Sequence, residues 1–228
     1  MTISIIIPVF HEEAIINDAI ARLRADLPEG SQRGVEIIIV DGSPDGETVA
    51  AVRGGAEGIV SRKGRAAQMN AGAGAARGDV LLFLHADTVL PEGGLGQIAS
   101  VMEGGRFAGG AFDLGIADPR RVFRVIEGAA SRRSRLTRAP YGDQAIFMGR
   151  DYFFRMGGYS DIPIMEDVDM MRRVKRSGGK ICIIDAKVQT SPRRWIREGI
   201  AACTLRNWTI MLLYLLGVSP ARLAKWYP

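Results

Sequence analysis

Cysteine is scarce in this chain. Cys182 and Cys203 are the only two in 228 residues, and neither belongs to a Cys-x-x-Cys pair. That excludes a disulfide framework and reads as two ordinary thiols in a reducing compartment. Long hydrophobic runs are missing as well. No apolar stretch reaches the roughly 18–20 residues that a membrane-spanning helix needs. The chain opens on MTISIIIPVF, with neither a basic segment nor a small-residue cleavage site. The opening is therefore expected to be a strand and not a leader. Two phosphate-binding motifs are absent too. No Gly-x-Gly-x-x-Gly follows the first strand-like run, and no Gly-x-x-x-x-Gly-Lys-Ser/Thr occurs, which argues against a dinucleotide fold and a P-loop. GAGAARG, residues 72–78, is rich in glycine but lies in a helical stretch before a strand, the wrong order for such a cradle. There are no internal repeats and no low-complexity linker.

What is present is an ordinary globular composition, 47% apolar and 24% charged, with 28 glycines and a net charge of +5. One domain with an appendage fits the length. A mildly basic chain can meet nucleic acid, anionic lipid or phosphorylated small molecules. The arginines cluster in two places. Residues 119–138 hold seven of them, with Glu127 as the only acid, and RRWIR spans 193–197. Each cluster can be read as a phosphate clamp, a membrane-facing patch or plain surface. Against nucleic acid, no helix-turn-helix, zinc or RNP pattern appears, and aromatics do not interleave with the basic runs.

Four β-branched or apolar runs, at 3–8, 35–40, 59–60 and 80–84, alternate with helical patterns at 12–27, 48–53 and 64–76. Uninterrupted apolar strands separated by helices imply a mainly parallel sheet covered on both faces, an α/β fold. Beyond residue 90 the pattern predicts helices over 91–103, 119–138 and 167–178. Strands are predicted over 109–116, 144–150 and 181–184. The tail 195–227 reads as helical, and its stretch 208–218 is apolar almost all round.

Polar residues recur where the first four strands end. His11, Glu12 and Glu13 follow the first, Asp41 and Asp45 the second, Ser61, Arg62 and Lys63 the third, and His85 and Asp87 the fourth. Ligands of open α/β sheets bind outside the carboxyl ends of the strands. A rim of interleaved carboxylates and cations suits a phosphate-bearing ligand with a divalent cation, because carboxylate oxygen is a natural ligand for Mg2+ or Mn2+.

Four blocks in order resemble one family. They are SIIIPVFHEE, EIIIVDGSPDGE, KGRAAQMNAGAGAARGDVLLFLHADT and YGDQAIFMGRDYFFRMGGYSDIPIMEDVDMMRRV. The chain is similar to a family 2 glycosyltransferase of the GT-A fold, of the small inverting, nucleotide-sugar-dependent type. It is closest in pattern to the subset with His-Ala-Asp at the metal site. The resemblance covers about residues 3–185. It implies a transferase domain over 1–190, with a nucleotide-sugar half (1–90) and an acceptor half (91–190), and a C-terminal helical extension (191–228).

The resemblance assigns roles. Glu12 and Asp41 hold the nucleoside side of the donor, Pro8 belongs to the substrate-binding site, and Lys63 and Arg65 face the donor's phosphates. Asp87 binds Mn2+ or Mg2+. His85 stands where the family has an aspartate. It binds the metal, bonds the ribose or fills space, and the lost carboxylate weakens the metal site. Asp167 is the general base, Glu166 places acceptor or base, and Asp143 and Gln144 line the acceptor or diphosphate side. The donor is expected to be a UDP-sugar and the acceptor a hydroxyl, lipid-linked if the basic and apolar tail contacts the inner face of a membrane; a homodimer contact and an amphipathic helix packed in the core are the other readings of that tail. The location expected is cytoplasmic. Competing readings are a sugar-phosphate nucleotidyltransferase, which would need a glycine- and arginine-rich loop that PVFHEE lacks, and a non-catalytic nucleotide-binding homologue.

Overall fold

The fold comes from a computed structural model that describes residues 1–27 and 34–227. Its first part alternates β1 (Ile3–Val9), α1 (Glu13–Ala25), β2 (Val35–Asp41), α2 (Glu47–Ala51), β3 (Glu57–Val60), α3 (Arg65–Ala75) and β4 (Val80–Phe83). β2 and β4 flank β1 and β3 flanks β2, all parallel. The continuous apolar runs have a direct explanation. Ile3, Ile5, Ile7 and Val9 point to one face, against Ile16, Ile20 and Leu23 of α1. Ile6, with Ile38 and Val40 of β2, points to the other, against Ala66, Met69 and Ala73 of α3. Both faces are covered, so both phases of the strand must be apolar. Each such isoleucine contributes about 1.5–3 kcal/mol by leaving water.

The second part follows as β5 (Thr88–Val89), α4 (Gly94–Glu103), β6 (Gly109–Ile116), α5 (Arg121–Thr137), β7 (Phe147–Gly149), α6 (Arg150–Arg155), α7 (Glu166–Arg176) and β8 (Ile181–Thr190). Among the described residues, these eight strands form one sheet in the order β3-β2-β1-β4-β7-β6-β8-β5. The expected parallel arrangement holds from β3 to β4. β7 then reverses direction, antiparallel to both β4 and β6, while β8 runs parallel to β6. β8 is longer than its predicted four residues. Its ladder with β6 slips where Phe112 faces Ile184 but Asp113 faces Lys187. The polar Asp185 and Lys187 around that irregularity hide the continuation of the strand from a reading of periodicity.

The arginine-rich α5 is mostly spent on structure. Arg135 Nη2 lies 2.6 Å from Asp113 and 2.8 Å from Asp185, and Arg120 holds Asp118. Glu127, the one acid of the helix, is buried and accepts from Ile116 N, with Arg124 and Lys187 on its carboxylate. The tail forms α8 (Arg193–Glu198), α9 (Ile200–Leu215) and α10 (Pro220–Leu223). Ile210, Tyr214 and Leu223 pack there with Val168 of α7. Among the described residues no helix is long and apolar enough to cross a membrane.

α3 lies close to the sheet because Gly72 has no side chain. A Cβ there would stand 2.5 Å from Ile6 Cγ2 and 2.9 Å from Val40 Cγ2. Alanine in a helix interior usually gains about 1 kcal/mol over glycine, whereas overpacking costs about 1–3 kcal/mol. Gly72→Ala is therefore expected to lower the unfolding free energy by about 1–2 kcal/mol in urea denaturation. A stabilised variant would mean that α3 can move away freely.

Candidate active site

Parallel order places the ends of β1, β2 and β4 along one edge. β1 and β2 are tied there by buried Gln68 of α3, whose Nε2 donates to Val9 O (2.6 Å) and Val40 O (2.8 Å). Asp41 closes β2. Its carboxylate is wholly buried and accepts from Ser43 N, Ser43 Oγ, Thr48 N and Val49 N at 2.7–3.3 Å. Burial alone would raise its pKa, but these hydrogen bonds together hold it below the ordinary value. Asp41 thus builds the turn into α2, and its oxygens are committed to that turn.

Glu12 precedes α1. Its carbonyl accepts from Ile15 and Ile16, but its side chain does not cap the helix. The carboxylate instead meets Arg193 of the tail, at 3.0 and 2.5 Å. The same guanidinium lies 3.1 Å from Asp87. One arginine from α8 therefore bridges the acid after β1 and the acid after β4. Burial pushes the Asp87 carboxyl up, Arg193 pulls it back and Glu12 adds to the rise. Lys63 is exposed, 4.3 Å above the ring of Phe10, and stays on the rim.

The acids of α7 and the loop before β7 meet Arg65, the first residue of α3. Arg65 Nε lies 3.0 Å from Glu166 Oε1. Burial works against its charge, and Glu166 and then Asp167 more than offset that, so its pKa is raised. Glu166 is 2% exposed, and its pKa is raised by burial against the pull of Arg65. Asp167 Oδ2 accepts from Gly142 N at 2.7 Å, and Oδ1 accepts from Val168 N at 2.7 Å. Gly142 permits this convergence. A Cβ there would stand 2.4 Å from Arg65 Nη2, 3.4 Å from His85 Nε2 and 3.5 Å from Asp167 Oδ2. Burial and the neighbouring cations Arg65 and Arg193 push His85 down to about 3, so it is neutral near pH 7. Asp143 is pushed up to about 6, by burial first and Asp167 second, with Arg133 and Arg65 opposing.

Arg65, His85, Asp87, Asp143, Glu166 and Asp167 line one cavity of about 280 Å3. Pro8 lines a small adjoining pocket with Arg65, His85 and Asp167. Gln144 does not reach the cavity. It is fully buried, with Nε2 on Phe112 O and Ser134 Oγ and Oε1 accepting from Tyr141 N. Glu12 stands outside the lining and is linked through Arg193 to Asp87, which lines the cavity, and Asp41 and Lys63 stand outside it too. The far wall comes from the tail: Arg194, Trp195, Asn207 and Tyr227. Arg194 donates to the Tyr227 hydroxyl. These residues lie outside the motifs, although charge marks the arginine pair in the sequence. Two non-glycine residues in the left-handed region, Ala145 (φ 51°) and Met165 (φ 69°), flank the acidic segments. Such strain costs about 1–2 kcal/mol per residue and persists where the surroundings enforce it.

Two other features lie apart. His11, Glu13 and Glu47 have ligand atoms within 4.8 Å of one another on the exposed rim. A larger cavity, about 520 Å3, sits by Asp79 and Gly149, away from the strand ends described above, and holds none of the expected residues.

Residues 4–162 match the family model for glycosyl transferase family 2. None of the curated proteins matches the chain. Among solved structures, the crystal structure of S. aureus TarS 1-349 superimposes with a TM-score of 0.63 at 16% identity, over 84% of this chain and 61% of that one. The same fragment in complex with UDP-GlcNAc gives 0.61 at 14% identity, over 84% and 58%. The longer TarS structure gives 0.62 at 15% identity, over 84% and 37%. The chain thus spans less than two thirds of each TarS chain it matches, and at these identities the likeness is one of fold.

Asp143 provides a pH test of this electrostatic arrangement. Its folded pKa is raised, so what it contributes to stability is complete below about 4 and is lost as pH rises through about 6. Asp143→Asn is expected to stabilise the fold by roughly 1–2 kcal/mol at pH 8 and by little at pH 4, read from urea unfolding at both values. Equal gains at both would remove Asp143 from the buried acidic cluster.

Proposed function

The chain belongs to glycosyl transferase family 2, and on that premise we propose that it is an inverting transferase that moves sugar from a UDP-sugar to an acceptor hydroxyl. The α/β fold, a mixed sheet between helices like that of the TarS structures, is of the GT-A type. The observation that carries the reading is the convergence of Asp87, Asp143, Glu166 and Asp167 with Arg65 and His85 round one cavity at the strand ends.

Asp167 is the base in this proposal. Each of its oxygens accepts one backbone N–H, which fixes the carboxylate while leaving lone pairs for an acceptor hydroxyl. The acceptor oxygen forms a bond to the anomeric carbon and gives its proton to Asp167. The bond from that carbon to the diphosphate breaks, and the diphosphate leaves with the electron pair. Glu166 keeps Arg65 in place beside the base. Arg65 and Arg194 supply positive charge from two sides of the cavity where the diphosphate's charge develops.

The donor set suits a divalent cation of the Mg2+ or Mn2+ kind. Asp87 offers a carboxylate and neutral His85 an imidazole, and the phosphates of the donor would complete the shell. Such a cation would supply charge neutralisation for the leaving diphosphate. Arg193 holds Asp87 meanwhile, so cation and arginine compete for that carboxylate.

Calorimetric titration with UDP, GDP and their sugar conjugates, with and without Mn2+, tests the reading. The expected result is metal-dependent binding of the uridine series, lost in Asp87→Ala. Asp167→Asn is expected to keep donor binding and lose roughly 100- to 10,000-fold in turnover. No nucleotide bound under any condition would sink the transferase proposal. In a separate prediction, Arg193→Gln is expected to raise Mn2+ affinity in the absence of nucleotide by about two- to fivefold, the worth of a partly exposed ion pair, read from the free Mn2+ signal in electron paramagnetic resonance. Unchanged affinity would mean that Arg193 does not compete with the ion.

A further inference from the structure

A further cavity, about 410 Å3, runs between α5 and α9. Its walls are Ile126, Ala129 and Ala130 of α5 and Trp208, Leu212 and Leu215 of α9. Tyr141, Asp143, Trp195, Asn207 and Met211 line both this groove and the acidic cavity, so the two adjoin. Trp208, Leu212 and Leu215 are 64%, 58% and 57% exposed. Three large apolar side chains left in water along one helix face call for an occupant. The groove's volume lies within the roughly 300–1,000 Å3 of small-molecule sites. Its one guanidinium does not spoil its apolar character. Arg133 lies 3.3 Å over the Tyr141 ring and donates to Ala139 O at 2.9 Å.

We propose that this groove is the acceptor's apolar subsite, so the acceptor is a single amphiphilic molecule. Its hydroxyl-bearing head sits in the acidic cavity near Asp143 and Asp167, and its hydrocarbon portion lies between α5 and α9. The inference rests on the transferase reading and adds the acceptor's chemical class to it. A bilayer is the weaker occupant. The surface is concave and adjoins the acidic cavity, and the only charged residue of α9, Arg206, is paired with Glu198. Little of α9 is therefore left to attract anionic lipid.

The test uses hexyl, heptyl and octyl β-glucosides below their micelle concentrations, with the full chain and no nucleotide. Trp195 and Trp208 both line the groove, so their emission reports binding. Affinity is expected to rise about three- to fourfold for each added methylene, the ordinary increment for burying that group, with a blue shift. Ala130→Phe, which fills the groove, and Leu212→Lys, which charges it at an exposed position, are each expected to abolish the chain-length dependence without lowering the melting temperature. Calorimetric donor binding is expected to survive both changes. A flat chain-length series in the unmodified chain would overturn the proposal, as would a series that both variants leave intact. Binding to phosphatidylglycerol vesicles without binding of monomeric glucoside would overturn it in favour of a membrane contact. Failure of nucleotide binding instead sinks the transferase reading and leaves the glucoside series readable by itself.

Discussion

Arg65 is the charge on which this cavity depends. Glu166, Asp167 and Asp143 crowd the ends of two loops, and like charges so placed repel one another in a medium poorer in water than the surface. Joined by Arg133 at Asp143, one guanidinium at the first turn of α3, 3.0 Å from Glu166, offsets that repulsion. It reaches them because Gly142 has no side chain in its path. α3 in turn is fixed by Gln68 on the ends of β1 and β2, and by Asn70, whose side chain exchanges hydrogen bonds with the backbone of Tyr159 in the loop before α7. The helix that carries the cation is thus anchored both to the sheet and to the segment that carries the acids.

The parallel half of the fold was legible because its signal is local. Apolar runs covered on both faces admit one interpretation, and the polar residues at strand ends share an edge as a consequence of topology. The convergence of Arg65, His85, Asp87, Asp143, Glu166 and Asp167 was likewise within reach of ordered motifs. Two of the expected residues have other work in the structure. Asp41 and Gln144 are in the right segments, but the hydrogen bonds that consume them form with Ser43, Thr48, Phe112 and Ser134, and no motif displays those partners.

The tail was the least legible part, for the opposite reason. Arg193 meets Glu12 across 181 positions of sequence, and Tyr227 reaches Arg194 after two intervening helices. A charge cluster in sequence says that cations are present and not which acids they face. The arginines of α5 show the same limit. Within a stretch that could be a phosphate clamp, Arg120, Arg124 and Arg135 are tied to Asp113, Asp118, Glu127 and Asp185.

The cavity has two walls of different origin. The carboxylates and Arg65 stand on or beside the strands and helices that precede β8, while Arg194, Trp195 and Tyr227 come from the last forty residues. Such a division keeps the two walls in separate stretches of sequence. Exchanging the tail among relatives would redraw the surface that a second molecule meets and leave the acidic wall as it is. Arg193 is one constraint on such exchanges, since it carries the tail to Glu12 and Asp87, and the packing of Ile210, Tyr214 and Leu223 on Val168 is another.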